Sequence, residues 1–101
     1  MTLIPNNQSL FIVDLHYIES FAKIEPLLDA HVEFLERNYA LGHFVASGPK
    51  VPRTGGVIIA TAKTREILEG LLKNDPFHER GIARYTVTEF NPSMKAPQLD
   101  S

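Results

Sequence analysis

The chain has 101 residues, of which 44% are hydrophobic and 22% charged, and its formal net charge is −2. This composition is typical of one soluble globular domain, and the balanced charge gives no electrostatic footprint for nucleic acid. The absence of cysteine excludes disulfides, thiolate metal sites and a cysteine nucleophile. No apolar run approaches the ~20 residues of a membrane span or the ~7–15 of a signal peptide. We therefore expect a cytoplasmic protein that binds neither membranes nor nucleic acid.

The first half of the chain predicts a strand, a long helix and a second strand. β-Branched and aromatic residues favour a strand over residues 9–17. Apolar residues recur at helical spacing from Ile24 onwards, with Pro26 in the first turn and Gly42 as the stop. Residues 43–47 then predict a second strand, closed by a turn at Gly48-Pro49.

The second half repeats the alternation in the order strand, helix, strand. A third strand is expected over residues 57–62, and a helix from the N-cap Thr64 to about Asn74. A turn over residues 76–81 precedes a last strand over residues 83–90. The order β-α-β-β-α-β is the signature of a ferredoxin-like α+β sandwich, in which two helices cover one face of a four-stranded antiparallel sheet.

The two ends lack a periodic apolar pattern, so we predict flexible segments at residues 1–8 and 93–101 around a domain at residues 9–92. Within that domain, apolar residues occupy both faces of the strands. Leu10 and Ile12, for example, lie opposite the face that carries Phe11 and Val13. An exposed apolar face is rare in monomers. We therefore expect a homodimer packed sheet against sheet, and the alternative is a monomer with a tail folded over the sheet.

His31 is the histidine whose position invites chemistry. It falls on the apolar stripe of the first helix, so its imidazole points toward the sheet. The structural interpretation is a core histidine bonded to backbone, and the functional one is a proton-transfer group facing both core and cleft. The four histidines show no metal-ligand spacing, so no metal site is expected.

Asp75 and the segment Ser47-Gly48-Pro49 are the other candidates. An Asp-Pro step commonly forms a turn or N-cap. An ionised carboxylate beside an imidazole would fix its tautomer and stabilise the imidazolium. Ser47, Gly48 and Pro49 are either turn punctuation or the lining of a cleft. The following cations, Lys50 and Arg53, are either solvated loop charges or attract an anionic substrate.

Several short motifs in order make the chain similar to the YciI (YCII-related domain) family. They are the helix with His31, the run Gly42-His43-Phe44-Val45-Ala46-Ser47-Gly48-Pro49, Asp75-Pro76-Phe77 with Gly81-Ile82, and Val87 with Phe90-Asn91-Pro92. The resemblance implies a dimeric α+β barrel with a His-Asp site at His31 and Asp75, near Ser47-Gly48-Pro49. Many members carry an arginine three residues before the histidine, where this chain has Leu28. If that arginine binds a substrate carboxylate or phosphate, the leucine favours a less charged substrate.

The leading hypothesis is a lyase or isomerase that needs no cofactor and transfers protons on a small cyclic or aromatic compound. The resemblance suggests elimination in the manner of a dehydrochlorinase, or isomerisation of the muconolactone-isomerase kind. His31 would move the proton, Asp75 would orient it, and Ser47, Gly48 and Pro49 would bind substrate. The alternative is a non-catalytic dimer that binds a small ligand, or serves an accessory role, through the same cleft. A fragment that works only beside another domain is a third interpretation.

Overall fold

The sheet has the predicted four strands in a single antiparallel layer. A computed structural model describes residues 3–99; the outermost parts of the two predicted flexible ends, residues 1–2 and 100–101, lie outside the described residues. The strands are β1 (Ser9–Tyr17), β2 (Phe44–Pro49), β3 (Gly55–Ala62) and β4 (Ala83–Phe90). They pair in the order β2-β3-β1-β4. Together with helices on one face, this arrangement confirms the ferredoxin-like α+β class.

The helical layer contains α1 (Phe21–Ile24), α2 (Leu28–Ala40), α3 (Arg65–Leu72) and α4 (Pro76–Glu79). The first helix therefore begins before the predicted Ile24, and a short 3₁₀ turn with Pro26 separates α1 from α2. Gly42 follows α2 with a φ of 82°, which glycine adopts without strain. Thr64 caps α3 as expected, because its hydroxyl accepts the Ile67 N–H at 3.1 Å.

Two segments that the sequence predicts as turns contain regular secondary structure instead. The predicted turn at Gly48-Pro49 is the end of β2, where the two residues pair with Val57 and Gly56. Because β2 is an edge strand, a proline there leaves no ladder donor missing inside the sheet. The segment after α3, expected to be a plain turn, contains α4, which begins at Pro76 and is capped by Asp75.

Gly55 is required by a close backbone approach between β3 and β1. A Cβ atom at this position would lie 1.8 Å from the carbonyl oxygen of Leu15. The sequence pattern placed Gly55 in the loop, whereas the structure pairs it with His16 as the first residue of β3. The absence of a side chain therefore allows β3 to extend to this end of the sheet.

The core lies between the sheet and the helices. Its buried side chains include Phe11 and Val13 of β1, Phe34 of α2 and Leu68 of α3. On the opposite face of the sheet, Ile12, Val57 and Ile59 are half-buried within the chain. Ile4, in the predicted flexible N-terminal segment, is also buried but lies outside the core cluster. Among residues 3–99, no helix is long and apolar enough to cross a membrane.

Replacing Gly55 by alanine should destabilise the fold, because the new methyl group meets the Leu15 backbone. We expect Gly55→Ala to lower the free energy of unfolding by about 3 kcal/mol. The control is Gly70→Ala in α3, where nothing lies within 4 Å of the new Cβ. That change should raise the free energy of unfolding by about 0.5–1 kcal/mol. Urea denaturation measures both, and equal effects would contradict the close approach of β1 and β3.

Candidate active site

The carboxylate of Asp75 is the centre of the candidate site. Asp75 is fully buried, and its Oδ1 lies 2.8 Å from Nδ1 of His31. The same oxygen accepts the backbone N–H of Phe77 at 3.1 Å, and Oδ2 accepts the Tyr85 hydroxyl at 2.5 Å. One carboxylate thus holds together α2, α4 and β4, which carry these three partners.

These contacts define the protonation pattern of the histidine. Phe77 and Tyr85 each donate a hydrogen bond to Asp75, and a carboxylate that only accepts is the form that satisfies these contacts together with the one to His31. Nδ1 of His31 must therefore be the donor in this contact. In the neutral imidazole the second nitrogen, Nε2, is then left without a proton and acts as the acceptor.

Phe77 fixes the plane of the imidazole. Its ring stacks on the His31 ring with 4.1 Å between centroids and 9° between planes. Because Asp75 caps the short helix that contains Phe77, the tripeptide Asp75-Pro76-Phe77 supplies both the carboxylate and the stacking ring. His31 therefore has its in-plane direction fixed by Asp75 and its tilt fixed by Phe77.

A pocket of about 160 Å³ opens beside His31, between α2 and the β2–β3 end of the sheet. The side chain of His31 is only 14% exposed, and it forms part of the wall. Since Nδ1 is bonded to Asp75, Nε2 is the ring nitrogen available to a ligand in this pocket. Apolar side chains form a large part of the remaining wall: Leu15, Leu28, Val32, Leu35 and Ile58.

The structure brings most of the predicted site residues together. His31, Ser47, Gly48 and Pro49 all line the pocket, whereas Asp75 lies behind His31 and does not line it. The Ser47 hydroxyl is 2.8 Å from the Tyr39 hydroxyl. The structural alternative for His31, a bond to backbone, is not what forms. For Asp75 the capping and the histidine-binding interpretations are both correct.

Three contributors to the site were not predicted. Tyr85 donates a hydrogen bond to Asp75, and Phe77 stacks on His31. Tyr17 lines the pocket. The position of Tyr85 could have been predicted from the sequence, because it shares the helix-facing side of β4 with Ala83 and Val87. A tyrosine at such an inward position needs a partner for its hydroxyl. Nothing in the sequence could say that this partner is Asp75.

A ferredoxin-like sandwich with a buried His-Asp pair at a small apolar pocket defines the class of protein. The family model for the YCII-related domain matches residues 6–91. The chain therefore belongs to the YCII-related domain family. Comparison with curated proteins finds no match.

Two solved structures share the fold. The first is TftG, a 5-chloro-2-hydroxyhydroquinone dehydrochlorinase from Burkholderia phenoliruptrix AC1100 in complex with 2,5-dihydroxybenzoquinone. The TM-score is 0.70 at 20% identity, over 81% of this chain and 93% of that chain. The second is SnoaB, a cofactor-independent oxygenase from Streptomyces nogalater. The TM-score is 0.51 at 15% identity, over 89% of this chain and 97% of that chain.

Tyr85 remains a phenol over a wide pH range. Its burial, followed by the negative charge of Asp75 and the hydrogen bond to that carboxylate, raises the pKa of Tyr85 above the ordinary value. Tyr85 is therefore a permanent donor to Asp75 at physiological pH, and it secures the oxygen that His31 leaves free.

The raised pKa of Tyr85 predicts a loss of stability in alkali. Above about pH 10 the unfolded chain releases the phenol proton while the folded chain retains it, so stability falls as pH rises. At pH 7 we expect Tyr85→Phe to lower the free energy of unfolding by about 1–3 kcal/mol, because Oδ2 of Asp75 loses its partner. This difference should narrow above about pH 10. Denaturation curves at both pH values measure it, and a constant difference would contradict the assignment.

Proposed function

We propose that this protein is a lyase or isomerase that uses no cofactor and transfers a proton on a compound with a single small ring. The observation that carries the proposal is the 2.8 Å contact between Asp75 and His31, with His31 in the pocket wall. This pair presents an oriented acceptor nitrogen to whatever occupies the pocket, which is the requirement for general base catalysis.

The size and lining of the pocket support a single ring. A cavity of ~150 Å³ lined by aliphatic and aromatic residues is known to hold one benzene molecule. This pocket has about the same volume, 160 Å³, and a similar apolar lining. Among the described residues, no group of three or more His, Cys, Asp or Glu side chains is arranged to hold a metal ion. Under this proposal the proton transfer belongs to His31, whose ring forms part of the pocket wall.

The two reaction types differ in where the proton goes. In an elimination, Nε2 of His31 takes a proton from a ring hydroxyl of the substrate's keto tautomer. The O–H bonding pair becomes a C=O bond, the adjacent ring double bond shifts to the sp³ carbon that carries chlorine, and chloride leaves with its own pair. The net loss is HCl, and His31 passes the proton to water. In an isomerisation, His31 returns the proton to a different atom of the same molecule. In both, the Asp75 carboxylate stabilises the imidazolium that forms.

TftG favours this reaction class, whereas SnoaB, an oxygenase, supports only chemistry without a cofactor. TftG is a dehydrochlorinase of a one-ring compound and is bound to a one-ring quinone, while SnoaB is described as cofactor-independent. Their identity to this chain is low, so they support the class of chemistry rather than the substrate. Under this proposal Ser47, Gly48 and Pro49 bind the substrate, since they face His31 across the same pocket.

The test offers the purified protein 5-chloro-2-hydroxyhydroquinone and, separately, a muconolactone. Chloride release follows the first reaction, and ultraviolet absorbance follows the second. We expect turnover of one of them, and His31→Gln or Asp75→Asn should lower its rate by about 10²-fold or more. The matched control is His16→Gln, an exposed histidine on β1 that does not line the pocket. It should leave the rate unchanged.

Two outcomes would contradict the enzymatic proposal. If His16→Gln and His31→Gln lower the rate equally, the imidazole in the pocket does not carry the reaction. If ring compounds bind in the pocket and neither is turned over, the non-catalytic ligand-binding or accessory role is the better account. Circular dichroism of each variant separates a loss of rate from a loss of fold.

We also propose a homodimer packed through the sheet face opposite the helices. Ile12, Val57 and Ile59 share this face, and a monomer would leave them in contact with water. The resemblance to the YciI family implies a dimeric α+β barrel, and this packing agrees with it. The cytoplasmic location stays a prediction from the sequence.

Light scattering at micromolar concentration measures the assembly. We expect a mass of about twice the 11.3 kDa of one chain. Ile59→Lys should shift the mass toward that of one chain, because a charge in an apolar interface is costly to bury. A wild-type mass near 11.3 kDa would contradict the dimer.

A further inference from the structure

We propose that Arg53 binds an anionic oxygen group of the ligand, so that the pocket selects ring compounds that carry a negative charge. This inference rests on the proposed function, because it assigns the ligand class of the same pocket. Leu28 favours a less charged ligand if the arginine that many family members carry there binds a carboxylate or phosphate. Arg53 supplies a cation from another part of the same pocket.

Arg53 is a cation at the pocket that has no acidic partner. It lines the pocket together with His31 and Ser47, although it lies in the loop between β2 and β3. None of the described residues that line the pocket is acidic. Within residues 3–99, Arg53 forms neither an ion pair nor a hydrogen bond, so its donors remain available. A guanidinium presents five N–H donors in a planar fork that matches a carboxylate.

The aromatic ring of Phe21 contacts the Arg53 guanidinium and restricts this side chain. The Arg53 Cζ atom lies over the ring of Phe21, 5.1 Å from the centroid, which is within the range of a cation–π contact. Phe21 is 41% exposed and belongs to α1, the short helix that precedes the 3₁₀ turn. The contact reduces the freedom that this loop side chain would otherwise lose on binding a ligand.

The second cation of the same loop has a different role. Lys50 binds Asp14 at 2.9 Å, and it does not line the pocket. Asp14 alternates with the helix-facing Val13 and Leu15, so this ion pair lies on the opposite face of the sheet. The two loop cations that the sequence could not distinguish are therefore separated by the fold. One is paired with a carboxylate, and the other is left facing the pocket.

The Arg53 guanidinium and the His31 imidazole belong to the wall of one small pocket, so one ligand can contact both. Arg53 and His31 line a space of about 160 Å³, which is filled by a single ring. A ring with a carboxylate or phenolate oxygen can therefore meet the guanidinium at one end and present another atom to Nε2 of His31. In this role Arg53 sets specificity, and it gives and takes no proton.

Benzoate and benzamide are the probes, because they share one ring and a similar shape and differ in charge. Titration followed by NMR measures the Kd of each. We expect benzoate to bind the wild type about tenfold more tightly than benzamide, as a charge-assisted bond predicts. Arg53→Gln should remove this preference and leave benzamide binding unchanged. The matched control, Lys50→Gln, should leave both constants unchanged.

Arg53→Lys and Phe21→Leu refine the test. Lysine keeps the charge but loses the planar fork, so part of the preference for benzoate should remain. Phe21→Leu removes the cation–π contact and should weaken benzoate binding by about 2–5-fold. It should affect benzamide less.

Three results would overturn the inference. They are equal binding of benzoate and benzamide by the wild type, equal losses in Arg53→Gln and Lys50→Gln, and no binding of either compound. The readout is binding alone, so it does not depend on turnover. A protein that binds benzoate through Arg53 and catalyses neither reaction would retain this inference while the proposed proton transfer fails.

Discussion

The buried carboxylate of Asp75 is the interaction on which the site depends. It caps α4, accepts the imidazole N–H of His31 on α2, and accepts the phenol O–H of Tyr85 on β4. A buried charge is costly unless it is paired and hydrogen-bonded, and the three donors supply that compensation. The contact that orients His31 is therefore one of those that offset the desolvation free energy of the buried Asp75 carboxylate.

The fold brings these partners together by layering. His31 and Asp75 are 44 positions apart in sequence, and they meet because both belong to the helical layer. The antiparallel order β2-β3-β1-β4 places β4 at one edge, where Tyr85 reaches the carboxylate from below. The other edge carries Ser47, Gly48 and Pro49, which close the pocket in front of the imidazole. One side of the His31 ring is therefore bonded to the Asp75 carboxylate, and the other side faces the largely apolar pocket.

Hydrophobic periodicity was sufficient to predict the four strands, the two main helices and their order, but not the short helices α1 and α4. It also placed His31 on the inward side of its helix, because a period of 3.6 residues specifies a face. The same reasoning missed the extension of β2 to Pro49 and of β3 to Gly55, where strand pairing outweighs local turn propensity. Contacts between distant segments were beyond it. The bond from Tyr85 to Asp75 and the separation of Lys50 from Arg53 arise only when the layers pack.

The tautomer of His31 tests the central claim most directly. If the hydrogen bond to Asp75 fixes the proton on Nδ1 of His31, the neutral ring presents Nε2 to the pocket as the acceptor. Long-range ¹H–¹⁵N NMR of the uniformly labelled protein, at a pH where the ring is neutral, distinguishes the two nitrogens. The spectrum assigned to His31, by its absence in His31→Gln, should show a protonated Nδ1 and an unprotonated Nε2. A neutral ring that carries its proton on Nε2 would contradict the account.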